Sequence, residues 1–150
     1  RDLHSFPTRR SSDLVFRRGW FHSGDAGYFD ADGILWFKDR FKDVIKSGGE
    51  NIASIEVEKA LYAAEPDLAE VVVIGLPHAR WTEAVTAVMV PRPGKTIDQA
   101  ALMERLQTQL SAFKRPKSFI VAEVLPKTAT GKIQKAVLRK LHAAHYDGER

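Results

Sequence analysis

The chain has 150 residues, 44% apolar and 28% charged, the size and balance of one globular domain with a real core. It lacks cysteine, which excludes disulfides and thiolate chemistry, and no apolar run approaches the roughly 18 residues of a membrane span. The formal charge of +4 is scattered rather than striped, so small anionic ligands explain it as well as nucleic acid does, and no nucleic acid is expected. A cytoplasmic protein is the default expectation.

Residues 1–14, from Arg1 to Leu14, carry no apolar periodicity, no cap pattern and no signal-peptide pattern. They read as the translation of a widely used sequencing-library adaptor and are set aside from fold and function. From Phe16 the chain reads as folded. Ala26 to Phe29 and Ile34 to Lys38 are β-rich runs joined by Asp30-Ala31-Asp32-Gly33, a hairpin turn. A calcium loop would need further ligands and a distal glutamate, which are missing. Ser54 is expected to cap a helix reaching Glu65, with Glu56 and Glu58 in its first turn. Val57, Ala60, Leu61 and Ala64 form its apolar stripe, and Pro66 stops it.

Val71 to Gly75 and Ala84 to Val90 are continuous apolar runs suited to buried strands. Asp98 can cap a second helix carrying Leu102, Leu106 and Leu110 on one face, and Ser118 to Val124 is a further strand. A last helix puts Val137, Leu138 and Leu141 on one face. The pattern predicts an α+β domain: a small β-sheet flanked by about three helices, preceded by a β-hairpin and a hinge.

Two lysine-bearing loops stand out. Pro126-Lys127-Thr128-Ala129-Thr130-Gly131-Lys132-Ile133 sits between a strand and a helix, where glycine permits a sharp turn. It is not the phosphate loop of NTPases, because the required upstream glycine and following Ser/Thr are absent. Taken alone, Lys132 could be a solvated surface lysine. The other loop is Asp39-Arg40-Phe41-Lys42-Asp43-Val44-Ile45-Lys46-Ser47-Gly48-Gly49-Glu50-Asn51, which could be a charged hairpin and glycine turn. Together and in this order, the loops resemble the C-terminal domain of acyl-CoA synthetases. These belong to the acyl-adenylate-forming family that includes luciferases and peptide-synthetase adenylation domains.

The resemblance spans about Phe16 to Leu141 and implies residue roles. Lys132 matches the lysine that bridges the ATP α-phosphate and the substrate carboxylate, offsetting charge in the transition state. Lys42 matches the hinge, and Arg40 the arginine that contacts the nucleotide ribose. Lys46, Gly48 and Gly49 match the loop that faces the active site during thioester formation. Trp20-Phe21-His22-Ser23-Gly24-Asp25-Ala26-Gly27 is similar to the end of the large N-terminal domain, and Asp25 matches its ribose-gripping carboxylate. Phe113, Arg115 and Lys117 fall where related ligases hold the nucleotide end of CoA, and Trp81 matches another CoA contact. The bland alternatives are a turn aspartate at Asp25 and a solvated helix end at Phe113-Lys114-Arg115-Pro116-Lys117. Asp39, Ala53-Ser54, His78 and Thr82 depart from the family's common residues.

The implied organisation is 1–14 adaptor, 15–38 the tail end of the N-terminal adenylation domain, and 39–150 the mobile C-terminal domain. The implied full enzyme uses ATP with Mg2+, a small-molecule carboxylic acid and CoA, and needs the missing N-terminal adenylation domain. No metal site is expected on this chain. Alternatives are a luciferase-like or peptide-synthetase adenylation enzyme, or a stand-alone nucleotide- or CoA-binding module.

Overall fold

The structure, a computed structural model, describes residues 16–17 and 19–148, so the adaptor-like segment 1–14 lies outside the described residues. The chain divides into two compact units, one ending at Lys42 and the other starting at Asp43. In the first, β1 (Phe16–Arg17) pairs antiparallel with β2 (Trp20–Phe21), and β3 (Asp25–Phe29) with β4 (Leu35–Arg40). The expected hairpin turn forms, and its chemistry is local. Asp30 Oδ1 accepts the Asp32 and Ile34 amides at 3.0 and 2.9 Å, and Gly33 supplies a φ of +77°. Ile34 belongs to the turn rather than to the strand, and β4 continues to Arg40 instead of stopping at Lys38.

The second unit is built on a mixed five-stranded sheet. A tight hairpin, β5 (Ile45–Ser47) and β6 (Glu50–Ile52), turns at Gly48 and Gly49, whose φ values of +59° and +88° suit a primed two-residue turn. β7 (Leu68–His78) and β8 (Thr82–Pro91) form a long antiparallel pair joined by Ala79, Arg80 and Trp81. Both exceed the expected runs, because pairing extends beyond the apolar stretch at each end. β8 also pairs with β5 at Thr82 and Ser47, and in parallel with β9 (Ser118–Val121). β9 stops short of the expected Val124, which is exposed.

α1 (Ser54–Ala64), α2 (Gln99–Gln107) and α3 (Lys135–Leu141) complete the fold among the described residues. Alternate residues of a strand point to opposite faces, and β7 uses both. Val71 and Val73 pack with Val57 and Leu61 of α1 and Leu102 and Leu106 of α2, whereas Val72, Ile74 and Leu76 pack with Leu138 of α3 and Tyr146. The result is an α+β domain with helices on both faces of the sheet, as expected.

Three local expectations need correction. Ser54 is the first helical residue and Ala53 takes the cap position, because the buried Ser54 hydroxyl is engaged by Lys135 Nζ at 2.6 Å. Glu58 lies beyond the first turn and reaches the sheet, where it accepts the Val73 amide at 2.9 Å. On α3 only Leu138 is buried, while Val137 and Leu141 face outward, since a seven-residue helix lays just one contact row on the sheet. Asp98 caps α2 as expected, accepting the Ala100 and Ala101 amides.

Candidate functional site

The β5–β6 turn and the β7–β8 connection come together through their backbones. The Gly48 amide donates to the Trp81 carbonyl at 2.9 Å, and a Cβ at Gly48 would stand 3.2 Å from the indole. Any other residue there would be strained by the positive φ and would press its Cβ against the indole. A cleft of about 250 Å3 opens beside this contact, lined by Ser47, Gly48, Trp81, Ala112, Phe113 and Lys117. The Lys117 ammonium sits 5.0 Å from the centre of the Trp81 ring, and the Arg80 guanidinium carbon 4.6 Å from it.

The cleft's cations are partly withdrawn from water. Burial pushes the Lys117 ammonium below its ordinary value, and the neighbouring Arg115 charge adds to the shift. Arg115 Nε is buried without a hydrogen-bond partner among the described residues. An anion entering the cleft would offset the desolvated charge of Lys117, which lines it. Aromatic rings beside cations are the side-chain chemistry that stacks on a planar ring and pairs with phosphates.

Of the residues singled out from sequence, Gly48, Trp81, Phe113 and Lys117 thus meet in one cleft, with Arg115 beside them and Gly49 completing the turn. Lys46 is exposed on β5, its amide held by Glu83 Oε2 at 2.7 Å. Lys132 does not line this cleft. It projects from a small loop closed by the Lys127–Ile133 bridge, in which the Lys132 amide donates to Thr128 Oγ1 at 3.1 Å and Gly131 has a φ of +80°. Lys132 is exposed and has no ion pair among the described residues. Asp25 and Arg40 face each other across the β3–β4 pair, with Arg40 Nε 3.7 Å from Asp25 Oδ1. Lys42 is exposed in the turn at which the two units divide.

Sequence reasoning missed the supports. Lys135 Nζ donates to Ser54 Oγ and, at 2.8 Å, to Glu58 Oε1, tying α3 to α1 immediately after the Lys132 loop. Arg139 pairs with Asp43 at 2.9 Å, the residue that follows Lys42. His78 Nδ1 accepts the amides of Arg80 and Trp81 at 3.0 and 3.3 Å. These partners are distant in sequence or lie inside an irregular turn, so no periodicity announces them.

Known proteins resemble this one in both sequence and fold. A protein named probable CoA ligase CCL9, from Humulus lupulus, is 43% identical over 91% of this chain and 25% of its own length. Indoleacetate–CoA ligase of Aromatoleum aromaticum is 42% identical over 89% of this chain and 26% of its own. The crystal structure of ATP-bound MatB from Rhodopseudomonas palustris superposes with a TM-score of 0.85 at 38% identity, covering 93% of this chain and 28% of that one. The chain therefore spans about a quarter of the length of the curated relatives it matches. A family model described as the AMP-binding enzyme C-terminal domain matches residues 56–132. That match takes in β7, β8, the cleft's cations and Lys132, and by it the chain belongs to the AMP-binding enzyme C-terminal domain family.

Proposed function

We propose that this chain is the moving C-terminal part of an ATP-dependent acyl-CoA synthetase. The whole enzyme joins a carboxylic acid to AMP with release of pyrophosphate, then passes the acyl group to the thiol of coenzyme A and releases AMP. The observation that carries this reading is the cleft beneath the Gly48 turn, where Trp81 and Phe113 stand beside Lys117. Its chemistry suits an adenine bearing phosphates, and curated relatives are named CoA ligases. Phe113, Trp81, Arg115 and Lys117 hold the nucleotide end of CoA. Lys46, Gly48 and Gly49 form the face that serves thioester formation, with the glycine backbone lying against the pantetheine arm.

Adenylation uses a different face. Lys132 reaches the ATP α-phosphate and the substrate carboxylate together, offsetting the charge that builds on the phosphoryl group. Its exposure and freedom from ion pairing among the described residues support this assignment. Asp25 and Arg40 hold the ribose, and Lys42 absorbs the backbone rotation that exchanges the two faces. The division of the chain after Lys42 supports that role. Mg2+ arrives on the ATP phosphates; no group of three or more His, Asp or Glu among the described residues offers it a site. The phosphate-gripping loop and acyl pocket belong to an N-terminal adenylation domain, whose tail end is residues 15–38. No helix among the described residues is long and apolar enough to cross a membrane, and we place the enzyme in the cytoplasm.

The division of labour is directly testable. Given ATP, Mg2+, a carboxylic acid and CoA, the chain by itself is expected to release no AMP above background. Joined to the upstream domain read from its source DNA, it is expected to form acyl-CoA. CoA-dependent AMP release by the chain alone would overturn the proposal.

A further inference from the structure

The Lys132 loop is fastened at both ends. Where it begins, Lys127 Nζ pairs with Glu70 Oε2 of β7 at 2.7 Å; where it ends, the Gln134 amide donates to the Pro126 carbonyl at 2.8 Å and α3 starts. Lys135, the first residue of α3, donates from Nζ to Ser54 Oγ at 2.6 Å and to Glu58 Oε1 at 2.8 Å on α1. Glu58 also accepts the Val73 amide of β7, so one carboxylate joins α1, α3 and the sheet. Lys135 and Arg139, four residues apart, share a face of α3. Arg139 Nη2 meets Asp43 Oδ1 at 2.9 Å, and Asp43 follows the proposed hinge residue Lys42 in the chain. With Leu138 buried between them, α3 runs from the end of the Lys132 loop to the residue after the hinge.

We propose, resting on the adenylation reading of Lys132, that Lys135 and Arg139 are positioning residues for it. Through Glu58 and Asp43 they lock α3 between the Lys132 loop and the hinge, so that turning the domain delivers the Lys132 ammonium to one place. The pairs are shielded enough to hold a position: the Lys135 and Glu58 side chains are 16% and 19% exposed, those of Arg139 and Asp43 27% and 14%. Fully solvated pairs would add little. The two functional faces reach the hinge by different routes. β5, which carries Lys46 and leads into the Gly48 turn, begins just beyond Asp43, so the chain itself carries that face. Lys132 lies far along the sequence, and α3 links it to Asp43 through side chains. Loosening α3 should therefore harm adenylation and spare thioester formation.

The test uses the chain joined to the upstream domain read from its source DNA, with whichever of acetate, hexanoate and benzoate it activates fastest and the matching acyl-adenylate. Two rates are taken from each preparation: acid-dependent ATP–pyrophosphate exchange, and acyl-CoA formation from the supplied acyl-adenylate. Unfolded protein cancels from their ratio, so a loss of stability alone leaves it unmoved. Lys135→Met and Arg139→Gln are each expected to lower the ratio of exchange to thioester formation about tenfold to a hundredfold, the effect of a small misplacement at a reacting centre. Lys135→Arg, which keeps a charged donor for Glu58, should lower it less than Lys135→Met. Asp43→Asn combined with Arg139→Gln should lose no more than Arg139→Gln alone, as for two residues acting as one unit. A wild-type ratio in Lys135→Met or in Arg139→Gln, equal losses in Lys135→Arg and Lys135→Met, or losses that multiply in the double variant would overturn the proposal. Lys132→Ala keeps this inference apart from the reading it rests on. An unchanged exchange rate there removes the adenylation role and the inference together. A lost one, beside wild-type ratios at Lys135 and Arg139, removes the inference alone.

Discussion

Lys132 and Gly48 differ in how each would act in the proposed function. Lys132 has few local contacts: its loop is shaped by Thr128 and Gly131, and its ammonium is left exposed. In the full enzyme, Lys132→Ala is expected to lower acid-dependent ATP–pyrophosphate exchange about a hundredfold to a thousandfold, the usual effect of losing one preorganised donor. Thioester formation from a supplied acyl-adenylate should change far less, and equal losses in both steps would remove the assigned role. Gly48 acts through its backbone. Gly48→Ala imposes a strained positive φ at a cost of about 1–2 kcal/mol and pushes a methyl group toward the indole at 3.2 Å. The expected readouts are a lower Tm and a raised KM for CoA with the KM for ATP held.

Among the elements, the β3–β4 hairpin and the central β7–β8 pair differ in what secures them. The hairpin turn depends on one carboxylate. Trp36 Nε1 donates to Asp30 Oδ2 at 2.5 Å and, with the Ile34 and Asp32 amides, holds the Asp30 carboxyl below its ordinary value of 3.8. A depressed carboxylate contributes stability that is present above the unfolded value and is lost as pH falls through the folded one. Acidification below pH 3.8 should therefore loosen the hairpin, and Trp36→Phe should move that step toward the ordinary aspartate range in a pH titration of turn amides. The central pair depends on close approach instead. A Cβ at Gly75 would stand 2.9 Å from both the Glu83 carboxyl and Ile45 Cγ2, so Gly75→Ala should cost about 1–3 kcal/mol by overpacking. It should also disturb Lys46, whose amide is held by the same Glu83 carboxylate. Denaturant unfolding with an unchanged midpoint would contradict this account.

At the scale of the molecule, the proposed roles of the two lysine loops require that the domain turn. Lys42→Pro fixes φ near −65° and removes an N–H at the division between the two units. It should separate the half-reactions of the full enzyme, sparing one and stopping the other; equal loss of both would argue against a pivot there. Much of this was readable from the chain itself. The apolar runs of β7 and β8, the Asp98 cap, the Asp30–Gly33 turn and the two lysine loops are local patterns of spacing and side-chain chemistry. Hydrophobic periodicity and turn residues act over a few positions, so a linear reading reaches them. Folding alone decided which distant residues became partners. Ser54 looked like a cap but instead binds Lys135, eighty-one positions away, and Glu58 left the first turn to bind the Val73 amide. His78 became the support of the Trp81 wall, and Phe113 and Lys117 came to face Gly48 across the cleft. Such contacts depend on strand register and on the direction of each side chain. Those are set when the sheet closes and buries its two faces, and no window along the sequence contains them.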